Sequence, residues 1–468
     1  MICKIIISDE INCNLHGLKP EHSKILFEKF GVFVDGYRYM PHFQLGHWDG
    51  KIRFFDKNEN TYVKILDEIL PYICSWGYDV ELKDKRIQSA PISDRVDENI
   101  FNHSTFKLRP YQVNDVNSLL EEGCGIGILA TGYGKTSLMA ALSLILTRNN
   151  LQVIIIVPSS DLVIQTKSEF ERFLSSFDIT IGEYSGSIKD IDHSIVISTW
   201  QAMQNNPDIM KSFTAVIVDE AHGIKGEVIK KLINDYGRHI SHRYAVTGTM
   251  PKPLTDQYSL KLSIGRVVCE CPASWLIDNG YLSKIKIQPI ETIDIDPDLP
   301  EYASERAYLT KHEDRNIAIS KYIKELASQY GNTLVLVNTQ ALQQGRELND
   351  MIEGSVYLDG SNSSDDRQEQ YTQYADRDDM IVIASAGIAS VGLSIDRIFC
   401  LVLLDTGKSF IRCIQAIGRG LRKKGDKSEV FVVDVYSKLK FAKKHFKDRQ
   451  KYYKDADYPL LTTIKLKY

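Results

Sequence analysis

Residues 126–136 read Ile-Gly-Ile-Leu-Ala-Thr-Gly-Tyr-Gly-Lys-Thr, and this stretch decides the fold. A short apolar run leads into a glycine-containing turn, and the residues after Thr136 have the composition of a helix. Strand, glycine turn and helix in this order are typical of a phosphate-binding loop, because glycines let backbone amides approach phosphate oxygens and the helix N-terminus favours negative charge. Lys135 would reach the β- and γ-phosphates of a nucleotide, and the Thr136 hydroxyl would face Mg²⁺. The predicted nucleotide-binding residues are Thr131, Gly132, Tyr133, Gly134, Lys135 and Thr136.

The loop departs from the strict pattern at one position. A glycine is usual five residues before Gly134, and Leu129 stands there instead. Taken alone, the stretch is therefore also compatible with a plain glycine turn between a buried strand and a helix. The remainder of the chain decides between these two interpretations.

Short β-branched runs alternate with helical segments from Phe106 onward. Continuous apolar strands separated by helices are typical of parallel sheets that are covered on both faces. The predicted strands form one series at 126–130, 152–158, 194–199, 215–219 and 243–247, and a second at 333–338, 355–358, 380–384, 398–404 and 429–435. The expected fold class is α/β, with two parallel-sheet domains in tandem after a small α+β domain.

A second candidate site follows the predicted strand at 215–218, which leads into Asp219-Glu220-Ala221-His222. Carboxylates at the carboxyl end of a parallel strand lie at the ligand-binding edge of an open α/β sheet. Asp219 is predicted to hold Mg²⁺, and Glu220 is predicted to position and polarise the attacking water. The alternative is that Asp219 only caps the next helix. A phosphate loop in the same α/β unit favours the catalytic interpretation.

Charge and cysteine usage exclude several classes of protein. The 468 residues carry a formal net charge of −4, so a nucleic-acid surface would have to be local. The eight cysteines form no C-x-x-C pair, which argues against a zinc ribbon or a disulfide framework. The N-terminus lacks a secretory signal pattern, and the apolar runs are too short to span a bilayer. A cytoplasmic protein without a membrane partner is expected.

These motifs, in this order, resemble those of superfamily 2 helicases and translocases over residues 106–436. The resemblance implies two RecA-like domains and an ATPase that acts on nucleic acid. It assigns Arg109 and Gln112 to recognition of the adenine. It also implies that loops at strand ends contact the nucleic-acid backbone, through Ser159, Thr199, Trp200, Asn338 and Thr339.

The second domain carries the other half of the resemblance. Residues 415–422 read Gln-Ala-Ile-Gly-Arg-Gly-Leu-Arg and match the family's Q-x-x-G-R-x-x-R. On a helix, Gln415, Arg419 and Arg422 share one face. Guanidinium groups brought there to the γ-phosphate can neutralise charge that develops in the transition state. The resemblance adds Gly392 and Asp396 as residues that link the nucleotide site to the bound strand.

An aromatic and basic stretch near the N-terminus narrows the family. Residues 35–41 (Asp-Gly-Tyr-Arg-Tyr-Met-Pro) and 46–53 (Gly-His-Trp-Asp-Gly-Lys-Ile-Arg) resemble the leading domain of UvsW-type phage helicases. That resemblance implies branch migration and fork remodelling of DNA. Aromatic side chains beside Arg38, Lys51 and Arg53 suit nucleic acid. The alternative is that these aromatics form the core of a small domain, since residues 1–100 carry no net positive charge.

The predicted organisation has five parts. They are an N-terminal junction-recognition domain at 1–95, an ATP-binding domain at 96–283, an inter-domain linker at 284–315, a second RecA-like domain at 316–436 and a basic helical tail at 437–468. One face of the tail helix carries five lysines, which either contact phosphates or are simply solvated.

The expected function is that of an ATP- and Mg²⁺-dependent DNA helicase or translocase. Its expected DNA partners are forks, branches and four-way junctions, and it is expected to act as a monomer, in the host cytosol if the source is a phage. Three alternatives stay open: an RNA helicase, the motor subunit of a restriction-type complex, and a non-catalytic junction-binding protein that uses ATP as a switch.

Overall fold

The computed structural model describes residues 1–87, 91–102, 106–223, 226–282, 284–295, 299, 301–338, 342–359, 377–385, 398–404, 429–455 and 458–468. The chain divides into two compact units, residues 1–130 with 134–271, and residues 131–133 with 272–468. Each unit contains one large parallel sheet. None of the helices in the described residues is long and apolar enough to cross a membrane.

The N-terminal residues form a small α+β layer. Its elements are β1 (Ile2–Ile7), β2 (Asn12–His16), α1 (Pro20–Lys29), β3 (Gly31–Phe33), α2 (Pro41–Gln44), β4 (Lys51–Arg53), β5 (Asn60–Tyr62), α3 (Leu66–Ser75) and β6 (Asp79–Asp84). The sheet has the order β5-β2-β1-β6, while β3 and β4 form a separate antiparallel pair. Cys3, Ile5 and Ile7 alternate along β1 with more exposed residues, and they share one core with Leu26 of α1 and Ile69 of α3.

This layer shares apolar surface with the first parallel sheet. Ile11 lies in the core of that sheet, and Leu262 is buried among the N-terminal apolar side chains. The ring of Phe54 stacks on the ring of Tyr258, with 5.4 Å between their centroids. The sequence predicts a separate domain at 1–95, whereas the structure makes these residues part of the first unit, because their core continues into it.

In the described residues, the first parallel sheet has eight strands. The elements around it are α4 (Pro110–Glu122), β7 (Cys124–Leu129), α5 (Lys135–Arg148), β8 (Val153–Val157), α6 (Ser160–Phe173), β9 (Ile181–Ser185), β10 (Ile188–Lys189), β11 (Ile195–Thr199), α7 (Trp200–Asn205), β12 (Ala215–Asp219), α8 (Gly226–Ile229), β13 (His242–Thr247), α9 (Leu254–Ser263) and β14 (Val267–Cys271). The order is β10-β9-β11-β8-β12-β13-β7-β14, with only the edge strand β10 antiparallel. Strands β8 and β11 are buried along their whole length, as a sheet covered on both faces requires.

The second sheet has seven parallel strands among the residues that the structure describes. The elements of this unit are α10 (Ala273–Asp278), β15 (Lys284–Thr292), α11 (Tyr302–Lys311), α12 (Glu313–Tyr330), β16 (Thr333–Val337), α13 (Leu342–Met351), β17 (Val356–Leu358), β18 (Ile381–Ser385), β19 (Cys400–Leu404), β20 (Glu429–Ser437), α14 (Lys440–Asp455) and β21 (Ile464–Leu466). The strand order is β17-β18-β16-β19-β20-β15-β21. The predicted fold class, α/β with two tandem parallel-sheet domains after a small α+β domain, is confirmed.

The predicted inter-domain linker at 284–315 is wrong for most of its length. Strand β15 occupies 284–292 and pairs with β20 along nine residues. Helix α11 and the start of α12 follow. Pro289 is the cause of the wrong prediction, because proline cannot donate to a ladder and argues against an internal strand. Burial of Ile285, Ile287 and Ile290 outweighs that cost.

Candidate active site

The phosphate loop connects β7 to α5, at the carboxyl edge of the first sheet. Gly132 and Gly134 have φ angles of +83° and +94°, a conformation that residues with a side chain rarely adopt. A Cβ atom on Gly134 would lie 2.5 Å from Nε2 of Gln112. Helix α5 begins at Lys135, so its unpaired N-terminal amides lie next to the loop. This backbone shape is the one that a bound phosphate requires.

Gln112 ties the loop to the start of α4. Its Oε1 accepts a hydrogen bond from the backbone amide of Arg109 at 2.8 Å. Its Nε2 donates to the carbonyl of Gly134 at 3.3 Å and to Oγ of Ser137 at 3.1 Å. The Arg109 guanidinium donates to the hydroxyl of Tyr111 at 2.7 Å. Gln112, predicted from resemblance to read adenine, therefore also holds the phosphate loop in place.

Lys135 and Glu220 form an ion pair at the centre of the site. The Lys135 Nζ and Glu220 Oε1 atoms lie 2.5 Å apart, and the side chains are 14% and 29% exposed. Lys135 and Glu220 are far apart in sequence, and the strand order explains why they are in contact. Strands β7 and β12 lie on either side of β13, so the loop after β7 and the turn after β12 reach the same edge.

His222 extends this pair toward β13. Its Nδ1 lies 3.2 Å from Oε2 of Glu220 and 2.8 Å from Oγ1 of Thr247. The Thr247 hydroxyl donates to the carbonyl of Thr249 at 2.8 Å. Because that hydroxyl has only one proton, it must accept from His222, which assigns a proton to Nδ1. The result is a continuous chain from Lys135 through Glu220 and His222 to the end of β13.

The electrostatics of Glu220 follow from two opposed effects. Burial raises the pKa of its carboxyl group, but the Lys135 ammonium and His222 outweigh burial and hold the pKa of Glu220 well below its usual range. The carboxylate is therefore ionised while Lys135 remains beside it. If Lys135 turned to a phosphate, burial would act with less opposition and Glu220 would become a stronger base.

The backbone at Glu220 is strained. Its φ angle is +46°, in the left-handed region that non-glycine residues seldom occupy. Oδ1 of Asp219 accepts a hydrogen bond from the Glu220 amide at 2.9 Å and stabilises this turn. Such conformations cost about 1–3 kcal/mol and cluster at functional sites. From this turn the Glu220 side chain contacts Lys135.

Oxygen ligands suitable for Mg²⁺ are present in the first unit. The Thr136 hydroxyl lies in the first turn of α5, and the Asp219 carboxylate ends β12. Hydroxyl and carboxylate oxygens, completed by water and phosphate oxygens, are what Mg²⁺ prefers in nucleotide sites. The donor set therefore fits the ion.

Comparisons with known proteins cover all three parts of the chain. The family profile described as "DNA helicase UvsW, N-terminal" matches residues 21–83, "Type III restriction enzyme, res subunit" matches 105–252, and "Helicase conserved C-terminal domain" matches 314–424. These matches show that the chain carries helicase domains of the superfamily 2 type. The predicted nucleic-acid-dependent ATPase class is thereby confirmed.

Individual relatives agree with this assignment. The helicase is 26% identical over 446 residues to the "ATP-dependent DNA helicase uvsW" of Enterobacteria phage T4, a match that covers 90% of this chain and 88% of the relative. It is 22% identical to the "DNA 3'-5' translocase XPB2" of Sulfurisphaera tokodaii, over 77% of this chain and 87% of that protein. The solved structure of S. cerevisiae Dbp5 bound to RNA and ADP BeF3 shares the fold, with a TM-score of 0.54, 15% identity, and coverage of 80% of this chain and 94% of that one.

Three residues predicted to contact nucleic acid have structural contacts in the helicase. The Ser159 hydroxyl caps α6 by accepting from the amide of Leu162, and the Thr199 hydroxyl caps α7 by accepting from Ala202. Trp200 packs against the core of the first sheet. All three lie at the carboxyl ends of β8 and β11. The Ser159 and Thr199 side chains stabilise helix starts, and contact of the three residues with nucleic acid stays a prediction.

The cations predicted in the N-terminal region differ in their surroundings. Lys51 lies 3.5 Å from Glu28, and Arg53 pairs with both Glu28 and Asp49. Both charges are already offset, by Glu28 of α1 and, for Arg53, also by Asp49 before β4. Arg38 is exposed, and within the described structure its guanidinium contacts only the hydroxyl and ring of Tyr37. Of the three, Arg38 is the cation best placed to meet a phosphate.

Several predicted residues lie outside the described part of the chain. They are Thr339, Gly392, Asp396, Gln415, Arg419 and Arg422. Asn338 is described and immediately follows β16, at the carboxyl edge of the second sheet. Two contributors to the site were not predicted: the hydrogen bond between His222 and Thr247, and the contact of Ser137 with Gln112. The Asp-Glu-Ala-His motif indicated that His222 belongs to the site. The sequence does not indicate its hydrogen bond with Thr247, which lies 25 residues away.

Proposed function

We propose that this helicase couples hydrolysis of ATP, with Mg²⁺, to movement along DNA, and that it remodels forked and branched DNA. The observation that carries the proposal is the chain of ion-pair and hydrogen-bond contacts that joins Lys135, Glu220, His222 and Thr247 at the edge of the first sheet. The match to a phage relative called an ATP-dependent DNA helicase supports DNA as the substrate.

Nucleotide binding would rearrange the ion pair. In the structure the Lys135 ammonium lies 2.5 Å from Glu220, and a bound phosphate would draw it away from that carboxylate. Glu220 then loses the cation that lowers its pKa, while burial continues to raise it. The carboxylate becomes a better acceptor for a proton from water only when a nucleotide holds Lys135. Glu220 would therefore be a stronger base only when a nucleotide is bound.

Mg²⁺ would be held by Asp219 and Thr136, and when bound it supplies positive charge to the phosphate oxygens. The protein's own part is to orient the water and the phosphates. Glu220 receives the proton of the water, and the amides of the loop and of α5 face the phosphates. His222 keeps the Glu220 carboxylate oriented through its contact at 3.2 Å.

Recognition of branched DNA is assigned to the turn between β3 and β4. Tyr39 and Leu45 are 86% and 68% exposed, which is unusual for large apolar side chains on a small domain. The base of the turn is rigid, since the Tyr37 ring stacks on Phe33 at 4.6 Å and meets Phe43 edge-on at 4.8 Å. A rigid turn with an exposed aromatic tip suits stacking on unpaired bases, which occur at a branch point.

The test is ATPase activity and strand separation over a matched panel of single-stranded, duplex, forked and four-way DNAs, with the same sequences as RNA. DNA-stimulated turnover and preferential processing of forks and junctions are expected. Equal or stronger stimulation by RNA would favour the RNA helicase instead. Binding of junctions without any turnover would favour a non-catalytic switch and contradict the proposal.

A further inference from the structure

Helix α14 is fixed firmly to the second sheet by a buried polar cluster. Nε and NH2 of Arg449 donate to the two carboxylate oxygens of Asp434 at 2.8 Å each. The Tyr453 hydroxyl donates to the same carboxylate at 2.7 Å. All three side chains are buried, and the Phe446 ring stacks on Tyr436 with 3.7 Å between centroids. These contacts fix the rotation of α14 about its own axis.

The N-terminus of α14 is held as well. The Glu305 carboxylate, on α11, accepts from the backbone amides of Phe441 and Ala442 at 2.7–3.0 Å. A carboxylate at a helix N-terminus satisfies amides that have no partner within the helix and complements the helix dipole. Helices α11 and α14 therefore form one rigid surface.

The opposite face of α14 is a continuous basic stripe. Its exposed lysines are Lys440, Lys443, Lys444, Lys447, Lys451 and Lys454. At about 100° per residue they fall within an arc of about 100°, on the other side of the helix from the buried residues. The structure pairs none of these ammonium groups with a carboxylate of the residues it describes. Over about 21 Å of helix, the stripe spans about six base pairs of B-DNA.

The stripe begins beside a residue already predicted to contact nucleic acid. Asn338 at the end of β16 lines the same small cavity as Arg306 of α11 and His445 of α14. The Arg306 guanidinium lies over the ring of Tyr302, 5.6 Å from its centroid, and that ring meets His445 edge-on. The Arg306 guanidinium and the half-exposed ring of Tyr302 thus lie between the end of β16 and the lysine stripe.

We propose that the lysine stripe of α14, with Arg306 at its start, binds the phosphate backbone of the DNA on which the helicase acts. The inference rests on the proposed function for its ligand. Six ammonium groups on one exposed helix face, with no carboxylate partner among the described residues, repel one another. A phosphate backbone with repeated negative charge removes that repulsion while releasing counterions. Because α14 is locked to the sheet, this contact would anchor the DNA to the second unit.

The experiment compares Lys444→Gln/Lys447→Gln with a matched control, Lys321→Gln/Lys324→Gln, which removes two exposed lysines, also three residues apart, from α12 of the same unit. Binding of a forked DNA is measured by fluorescence anisotropy between 50 and 200 mM salt. Each lost phosphate contact lowers the slope of log affinity against log salt by about 0.9. The stripe variant should lose about 1.8 from the slope, and the control should keep the wild-type slope.

Two further measurements make the outcome decisive. Lys444→Arg/Lys447→Arg should restore the wild-type slope, because it retains the charge. The DNA concentration for half-maximal ATPase stimulation should rise about tenfold in the glutamine variant only. An unchanged slope and affinity in a variant whose ATPase still responds to DNA would overturn the stripe while leaving the motor intact. Absence of DNA stimulation in the wild type would instead overturn the proposed function.

Discussion

Replacing Lys135 with alanine tests the ion pair at the centre of the site. The pair has a 2.5 Å contact and side chains that are only 14% and 29% exposed. The substitution leaves the Glu220 carboxylate dependent on His222. Hydrogen bonds to charged groups contribute about 1.5–3 kcal/mol, and breaking a fully buried pair costs about 3–5 kcal/mol. Since both side chains keep some contact with solvent, we expect the unfolding free energy to fall by about 1–3 kcal/mol at pH 7.

The loss should depend on pH in a defined direction. In the wild type the folded-state pKa of Glu220 is lowered, so the carboxylate contributes stability above its unfolded pKa of about 4.3. That contribution is lost as the pH falls through the lower folded-state value. In the variant, burial is no longer offset by Lys135 and the pKa of Glu220 moves upward. The stability difference between the two proteins should therefore be largest near pH 7 and shrink toward pH 4.

The assay is urea unfolding at pH 7, 5.5 and 4, together with ATP turnover well below the melting temperature. Turnover should fall about 100-fold or more, the scale seen when one stabilising donor is removed from a transition state. DNA binding should persist. Lys83→Ala, which removes an exposed lysine from β6 of the same unit, serves as control. Normal turnover in the folded variant, or a stability difference that does not vary with pH, would refute the role given to the pair.

Three other substitutions test separate parts of the molecule. Gly134 has a φ angle of +94°, and the new Cβ of Gly134→Ala would lie 2.5 Å from Gln112, so this substitution should lower the free energy of unfolding by about 1–3 kcal/mol. It should also weaken ATP binding in a fluorescent-nucleotide titration, and undiminished affinity would contradict the loop's role. Arg449→Ala leaves the buried Asp434 without its cation and should cost about 3–5 kcal/mol in urea unfolding, so a loss below about 1 kcal/mol would show that the pair contributes little. Tyr39→Ala should change stability by less than about 0.5 kcal/mol yet reduce the preference for forked over linear DNA, and an unaltered preference would exclude the turn from recognition.

The sequence predicts those parts of the fold in which local pattern and burial agree. Strands such as β8, whose five residues are all apolar and buried, are recognisable because a parallel sheet covered on both faces needs continuous apolar runs. Strand β9 was missed because Gly182 and Glu183 interrupt the pattern, although the sheet buries both. Strand β15 was missed because Pro289 argued against it. In each case tertiary burial overrides a local preference.

The candidate site shows the same limit. The phosphate loop and the Asp-Glu-Ala-His turn were predictable because glycines, lysine and carboxylates at strand ends have a chemistry that spacing reveals. The contact of Gln112 with Gly134 was not predictable. It joins the start of a helix to a loop 22 residues away through a side-chain amide. The basic face of α14 was visible in the sequence. The direction in which that face points depends on the contact between Arg449 and Asp434, and only the fold brings these two residues together.

Under the proposed function, the order of three strands would let ATP chemistry be linked to movement through few residues. Strand β13 lies between β7, which leads to Lys135, and β12, which leads to Glu220, and its own last residue is Thr247. The three strand ends are therefore neighbours at one edge. Under the proposed function, a phosphate that draws Lys135 away from Glu220 would change the charge that His222 faces, and His222 is already bonded to Thr247 at 2.8 Å. A change that begins at the nucleotide would then reach the segment after β13 through a single imidazole.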